Sequence, residues 1–257
     1  MASKRKKIHP AMIAVWAALM SVAGLLPTFP VFATGGNFSV SYALAPLAGI
    51  MFGPIAGALA VAIGDFLGSI IAPSSAPLGL FTFLIGTTNA FAIGYLCRKK
   101  WYPCLGIIVV LTGVWFLIPS GRAAGLYSIV YVAGMIMAPI GGIFGVKLFN
   151  SKKVLNKMAG IFLMSWPCYI AGSIVGNIIT LFLFQLPAPL WNNFLIWMTP
   201  LERTFFAIGA AVIGTPLLIG LPKTRIYVGP QYDEEEVDDE LDKNLARKIA
   251  EKESFKD

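Results

Sequence analysis

Apolar runs too long for a water-soluble core, separated by short clusters of Lys and Arg, constrain this 257-residue chain more than any other feature. A helix crossing the hydrocarbon of a bilayer needs about 20 mainly apolar residues. Candidate stretches fall at residues 10–32, 41–53, 54–72, 78–97, 105–119, 126–148, 158–184 and 200–221, of which the second and fifth are short. Gly53-Pro54 divides the second from the third inside one apolar stretch, a turn signal that leaves either two short helices or one broken helix. Lipid offers no partner for backbone N–H and C=O groups, which favours helices. The composition agrees: 13% of residues are charged and the mean hydropathy is +0.74, against about 25% charged in a soluble domain.

The basic clusters test the count independently, because Lys and Arg in short loops mark the cytoplasmic side. They stand at Lys4-Arg5-Lys6-Lys7, at Arg98-Lys99-Lys100, at Lys147 with Lys152, Lys153 and Lys157, and at Lys223 with Arg225. Each interval holds an even number of candidate spans. The expected fold is therefore an all-α polytopic membrane bundle of about eight transmembrane helices with cytoplasmic N and C termini. Six helices plus a re-entrant pair is the alternative. The basic start followed by an apolar stretch also fits a secretory signal, but no convincing small-residue cleavage pattern follows, so the stretch reads as a retained first helix.

The net charge of +7 conceals an asymmetry: residues 1–228 carry 15 Lys/Arg against Asp65 and Glu202, whereas residues 229–257 carry 11 acids against 5 bases. The chain thus divides into a transmembrane body, 1–228, and a charged cytoplasmic tail, 229–257, expected to be disordered or marginally helical, with partner docking as the other reading. The bases lie between apolar runs rather than on one polar face interleaved with aromatics, so no nucleic acid is implied. Cys97, Cys104 and Cys168 form no CxxC pair and have no neighbouring histidine, so they read as packing residues, with no metal and no cofactor.

Three local patterns stand out. In the first span Ala14 and Ala18 make an AxxxA face to which another helix, of this chain or of a partner, can pack closely. From Ala43 to Ala72 glycines recur at 49, 53, 57, 64 and 68. Among them sits Asp65, an intramembrane acid and hence a candidate functional residue of uncertain role, or a structural cap or pair. The closing span reads PLERTFFAIGAAVIGTPLL, Pro200 to Leu218.

Together, the AxxxA face, the helix break PLAGIMFGPIAGALAVAIGD (Pro46 to Asp65) and this closing span resemble the S components of energy-coupling factor (ECF) vitamin transporters, small membrane subunits that bind a vitamin from outside. The resemblance covers residues 10–100 and 158–221; the spans between about 105 and 148 are an extra pair beyond the usual six-helix core. It implies a vitamin ligand near the outer side, under the first external loop and against the later helices. It also implies partners, a transmembrane T component and two ATP-binding subunits, with Ala14 and Ala18 as the docking face.

That expectation directs attention to particular polar groups. The first loop, FATGGNFSVSY (Phe32 to Tyr42), reads as a lid with Asn37 as a candidate ligand contact, or as an ordinary turn. Asn89 is the strongest polar candidate of the fourth span, beside Thr82, Thr87 and Thr88. In the seventh span Trp166, Tyr169, Ser173 and Asn177 share one helical face, suited to a planar heterocycle or to helix packing. Between the last two spans, Trp191 and Trp197 read as interface anchors. Glu202 and Arg203 are adjacent and should diverge on a helix, leaving Arg203 for an anionic ligand group.

No GxxxxGK[ST] occurs, so ATP-driven uptake would need partner ATPases. Membrane-enzyme chemistry finds few candidates and no catalytic residue is assigned. The expected function is the substrate-binding subunit of an ECF-type importer in the cell (cytoplasmic) membrane. Another small multi-pass transporter is the first alternative. The second is an assembly subunit, in which Asn89, Asn177 and Arg203 would not converge.

Overall fold

The computed structural model describes residues 10–30, 37–224, 226 and 228–230. The Lys4–Lys7 cluster, Gly35-Gly36 and the acidic tail from 231 lie outside the described residues. Among the described residues eight apolar helices overlap the apolar stretches: α1 (Pro10–Ala23), which ends well short of residue 32, α2 (Ser41–Phe52), α3 (Pro54–Ile71), α4 (Phe83–Leu96), α5 (Tyr102–Leu117), α6 (Gly125–Phe149), α7 (Val154–Leu183) and α8 (Ala188–Lys223). Five are long and apolar enough to cross a membrane, α4 with its leading turn from Gly79; α1, α2 and α5 are shorter apolar helices. The protein is an all-α membrane protein with one addition, a two-stranded antiparallel hairpin of β1 (Pro27–Pro30) and β2 (Asn37–Ser39) that pairs Pro27 with Ser39 and Pro30 with Asn37.

The Gly-Pro break resolves as two helices. Gly53 takes φ +85°, a left-handed conformation that a side chain resists, and Pro54 opens α3, where its missing N–H costs nothing. Arg98, at the end of α4, donates to Gly94 O at 2.9 Å and Gly49 O at 3.4 Å, clasping the break from the neighbouring helix.

Glycines let the helices approach to backbone contact. A Cβ on Gly49 would overlap the Ala90 carbonyl oxygen of α4, and one on Gly64 would overlap Met20 Cβ of α1. Ser21 of α1 donates to Gly64 O at 2.9 Å across the same contact. Such contacts hold helices together where lipid removes the hydrophobic drive. Gly49→Val should therefore lower stability by about 1–3 kcal/mol, read as a lower midpoint of thermal unfolding in detergent. An unchanged midpoint would contradict the α2–α4 packing.

The packed face of α1 is Trp16, Ala17, Met20 and Ser21, whereas Ala14 and Ala18 point outward beside Val15 and Leu19. The AxxxA face is therefore not consumed by packing among the described residues. Of the five long spans α7 is the most buried, and α4, α5, α6 and α8 pack against it. The expected extra pair, α5 and α6, is thus integral to the bundle.

The helices alternate in direction and sort their connections. Gly53, Arg98, Trp101, Gly142 and Phe149 with Gly160 lie at one end, where the basic connections are, and Gly229 N donates to Met51 O there at 3.1 Å. The β-hairpin, the Pro73–Thr82 connection, the Pro119–Ala123 turn and the start of α8 lie at the other.

A buried cleft at the hairpin end

The cleft is built on the exposed-end half of the same α7 face that the spacing of Tyr169, Ser173 and Asn177 marks. Ser173 and Thr180 donate to the carbonyls of Tyr169 and Gly176 at 2.6 and 2.8 Å, so their hydroxyl protons are spent on their own helix and their lone pairs remain for the cleft. Opposite stands α8, which begins twelve residues earlier than the sequence suggests and runs through a π-helical turn at Trp191–Leu195. Such a turn shifts the side-chain phase of a helix. Here it buries Trp191 at 1% exposure, which corrects its reading as an interface anchor, while Trp197 is 75% exposed.

These two helices, Tyr42 of α2, Phe38 of β2 and Leu78 enclose a cleft whose polar lining includes Ser173, Asn177, Thr199, Glu202 and Arg203. The guanidinium of Arg203 lies 5.3 Å from the Phe38 ring centroid and 5.9 Å from that of Phe206, a desolvated cation–π setting. Adjacent residues were expected to diverge, but Arg203 Nη2 reaches within 3.8 Å of Glu202 Oε2. The correction follows from side-chain length, since both flexible stems can fold back beside the helix. At that separation the pair is ionic rather than hydrogen-bonded.

Buried donors almost always find acceptors. In this cleft three do not: Tyr42 Oη, Trp191 Nε1 and Arg203 Nε have no hydrogen-bond partner among the described residues, and all three residues line it. Trp16, Trp115 and Ser165 carry the other such atoms. A wall of flat rings with several unspent donors can bind a planar molecule rich in acceptors.

Behind the cleft lies an aromatic cluster that the sequence reading did not single out. Trp115, Tyr127, Tyr131 and Trp191 meet at centroid separations of 5.0–5.8 Å, edge-on except for the tilted pair Trp115–Tyr127. Asn177 donates to the hydroxyls of Tyr127 and Tyr131 at 2.9 and 3.1 Å, and Tyr127 Oη pairs with Thr199 Oγ1 at 2.9 Å. Helix α6 therefore orients Asn177. The i, i+4 spacing of two tyrosines in an apolar span was the available signal.

Tyr169 lies beneath the cleft, its hydroxyl donating to Tyr42 O at 2.9 Å and Phe206 O at 3.3 Å. Trp166 turns toward α8 and donates to Thr204 Oγ1 at 3.1 Å, outside the cleft. Asn89 is fully buried between α4 and α7 against Gly172. With its Nδ2 facing the carbonyls it reaches Cys168 O at 2.8 Å and Ile85 O at 3.3 Å, a clip between helices away from the cleft. Asn37 opens β2, one residue from the lining Phe38. Asp65 lines a separate small cavity with Ser39, Ser41, Tyr42, Ser69 and Thr82. The three cysteines are buried and unbridged, and no group of three or more His, Cys, Asp or Glu able to hold a metal exists among the described residues.

Fold and cleft together define a multi-pass α-helical membrane protein with an aromatic, donor-rich pocket at one end. Residues 6–118 match the model of the ECF-type riboflavin transporter S component family, and the resemblance drawn from the sequence holds over that stretch: the chain is similar to the substrate-binding component of a transporter, not to an enzyme. A relative described as an uncharacterized protein of Methanocaldococcus jannaschii is 24% identical over 231 residues, covering 83% of this chain and 77% of the relative. No solved structure matches the chain. The family match spans α1 to α5, so Phe38 and Tyr42 fall inside it while Asn177, Trp191 and Arg203 lie beyond.

Proposed function

We propose that this chain is the substrate-capture subunit of an ECF-type importer, and that it holds a planar heterocyclic vitamin in the cleft between α2, α7 and α8. The observation that carries this reading is the convergence of Tyr42 Oη, Trp191 Nε1 and Arg203 Nε, three buried donors without partners, on one aromatic-walled cleft. The chain crosses the cytoplasmic membrane eight times with both ends inside, which places the cleft on the outer side, because the basic connections lie at the opposite end. Residues 1–228 form the membrane body and 229–257 a cytoplasmic tail. Energy comes from two ATP-binding subunits coupled through a T component, which docks on the outward Ala14 and Ala18 face of α1.

The family description names riboflavin. A flavin suits the cleft: its tricyclic ring stacks on Trp191, Phe38 or Tyr42, its carbonyls and ring nitrogens accept from Arg203, Trp191 and Tyr42, and its ribityl hydroxyls meet Asn177 and Thr199. The cleft admits the centres of water-sized molecules over only about 60 Å³, less than a drug-sized ligand requires. Entry therefore needs the hairpin with Phe38, or the Leu78 connection, to move outward, as a lid does.

Titrating the detergent-solubilised chain with riboflavin and following flavin fluorescence tests the ligand. Stacking on Trp191 should quench the emission stoichiometrically, with a dissociation constant of about 1 µM or below. Absence of quenching at about 100 µM flavin would exclude riboflavin.

A further inference from the structure

Asp65 has no Lys or Arg at ion-pair distance among the described residues, and the one described cation near the clefts, Arg203, is paired with Glu202. The carboxyl instead borders a cavity with about 20 Å³ open to the centres of water-sized molecules, between α1, α3 and the segment that joins β2 to α2. That is room for one small occupant. Ser39, Ser41, Tyr42, Ser69 and Thr82 line it together with Asp65, an all-oxygen set. Ser39 and Ser41 share one hydrogen bond at 2.8 Å, Thr82 accepts from Leu78 N at 3.0 Å and Ser69 donates to Phe66 O at 2.7 Å, so each keeps oxygen lone pairs to offer. Independently, Tyr42, only 5% exposed, borders this cavity and its hydroxyl has no partner.

We propose that this cavity is a binding site for a single Na⁺-sized monovalent cation, held by the Asp65 carboxylate and the surrounding hydroxyl oxygens. Hard cations take oxygen ligands. One carboxylate balances one positive charge, whereas a divalent ion would leave a net charge within the bundle. The cation supplies the counter-charge that an intramembrane carboxylate otherwise lacks. Because Tyr42 walls both cavities, occupancy would also brace the larger cleft, but the site stands whether or not that cleft binds a vitamin.

The test is thermal unfolding of the full chain in detergent at constant ionic strength, exchanging choline chloride for NaCl or KCl. The expected result is a saturable rise of about 5 °C in Na⁺ at 100 times the dissociation constant, with a smaller effect of K⁺. Asp65→Asn should lose the rise while unfolding near the wild-type temperature in choline. Ser41→Ala should shift its midpoint to about tenfold higher Na⁺, and decides the matter should Asp65→Asn fail to fold. A wild-type chain indifferent to Na⁺, an equal response to K⁺, or an undiminished response in the folded variants overturns the proposal.

Discussion

Replacing Arg203 with alanine is expected to weaken ligand binding by about 100-fold or more, the equivalent of about 2.7 kcal/mol. The guanidinium is held between Phe38 and Phe206 inside the cleft, and its Nε has no hydrogen-bond partner among the described residues. A ligand acceptor that meets it replaces no existing hydrogen bond and removes a buried unsatisfied donor, which is where a charged hydrogen bond contributes most. Truncation also leaves Glu202 without its counter-charge, which destabilises the bundle on its own account. Arg203→Lys separates the two effects, because it keeps a positive charge beside Glu202 but lacks the planar fork and the Nε donor. Fluorescence titration of both variants, with unfolding midpoints alongside, should show the lysine variant near wild-type stability yet at least about tenfold weaker in binding. Wild-type affinity in Arg203→Lys would mean that only charge matters, and wild-type affinity in Arg203→Ala would remove the residue from the site.

The second large effect is expected on the opposite link of the chain, between capture and transport. Leucines at Ala14 and Ala18 project from the outward face of α1, which is exposed among the described residues, so folding and ligand affinity should change little. Two added side chains would nonetheless hold a docking helix away from the close approach that small residues permit. Uptake of labelled ligand by cells carrying the whole transporter should fall by about tenfold or more, with the dissociation constant of the purified subunit within about twofold of wild type. Parallel losses of uptake and binding would sink the docking role, as would full uptake.

Lipid makes the coarse fold legible, because it imposes length and apolarity on each span, and each apolar stretch holds an apolar helix, although α1 stops at Ala23 before the hairpin and α8 starts at Ala188. Gly53-Pro54 announced its break for a similar reason, since few residue pairs can end one helix and begin another without an intervening loop. Features set by reach across the bundle were less visible. Adjacent Glu202 and Arg203 look divergent on a helical projection, yet their long stems bring the charged groups together. The π-turn at Trp191 has no pattern in the sequence, and without it that tryptophan reads as one more interface anchor.

Asn89 shows a further limit. An amide in an apolar helix declares that it needs partners, but not whether they are a ligand or, as here, carbonyls of α7 and its own helix. Conversely, Tyr42 and Arg203 lie 161 residues apart in the chain, and their meeting depends on the packing of α2 against α8. The two tyrosines of α6 are marked by their i, i+4 spacing; their tie to Asn177 is what joins the supposed extra helix pair to the cleft. Glycine contacts such as Gly172 against Asn89 set these positions by backbone approach, which residue patterns mark only as a string of small residues.

The central claim is that the chain captures a planar heterocycle between α2, α7 and α8. Mass spectrometry of small molecules released from the detergent-purified protein tests it most directly, without choosing the vitamin beforehand. The account predicts one heteroaromatic compound, a flavin first among candidates, in near-stoichiometric amount from the wild type and missing from Arg203→Ala. Lipid as the sole bound species, or the same heterocycle retained in equal amount by Arg203→Ala, would contradict it.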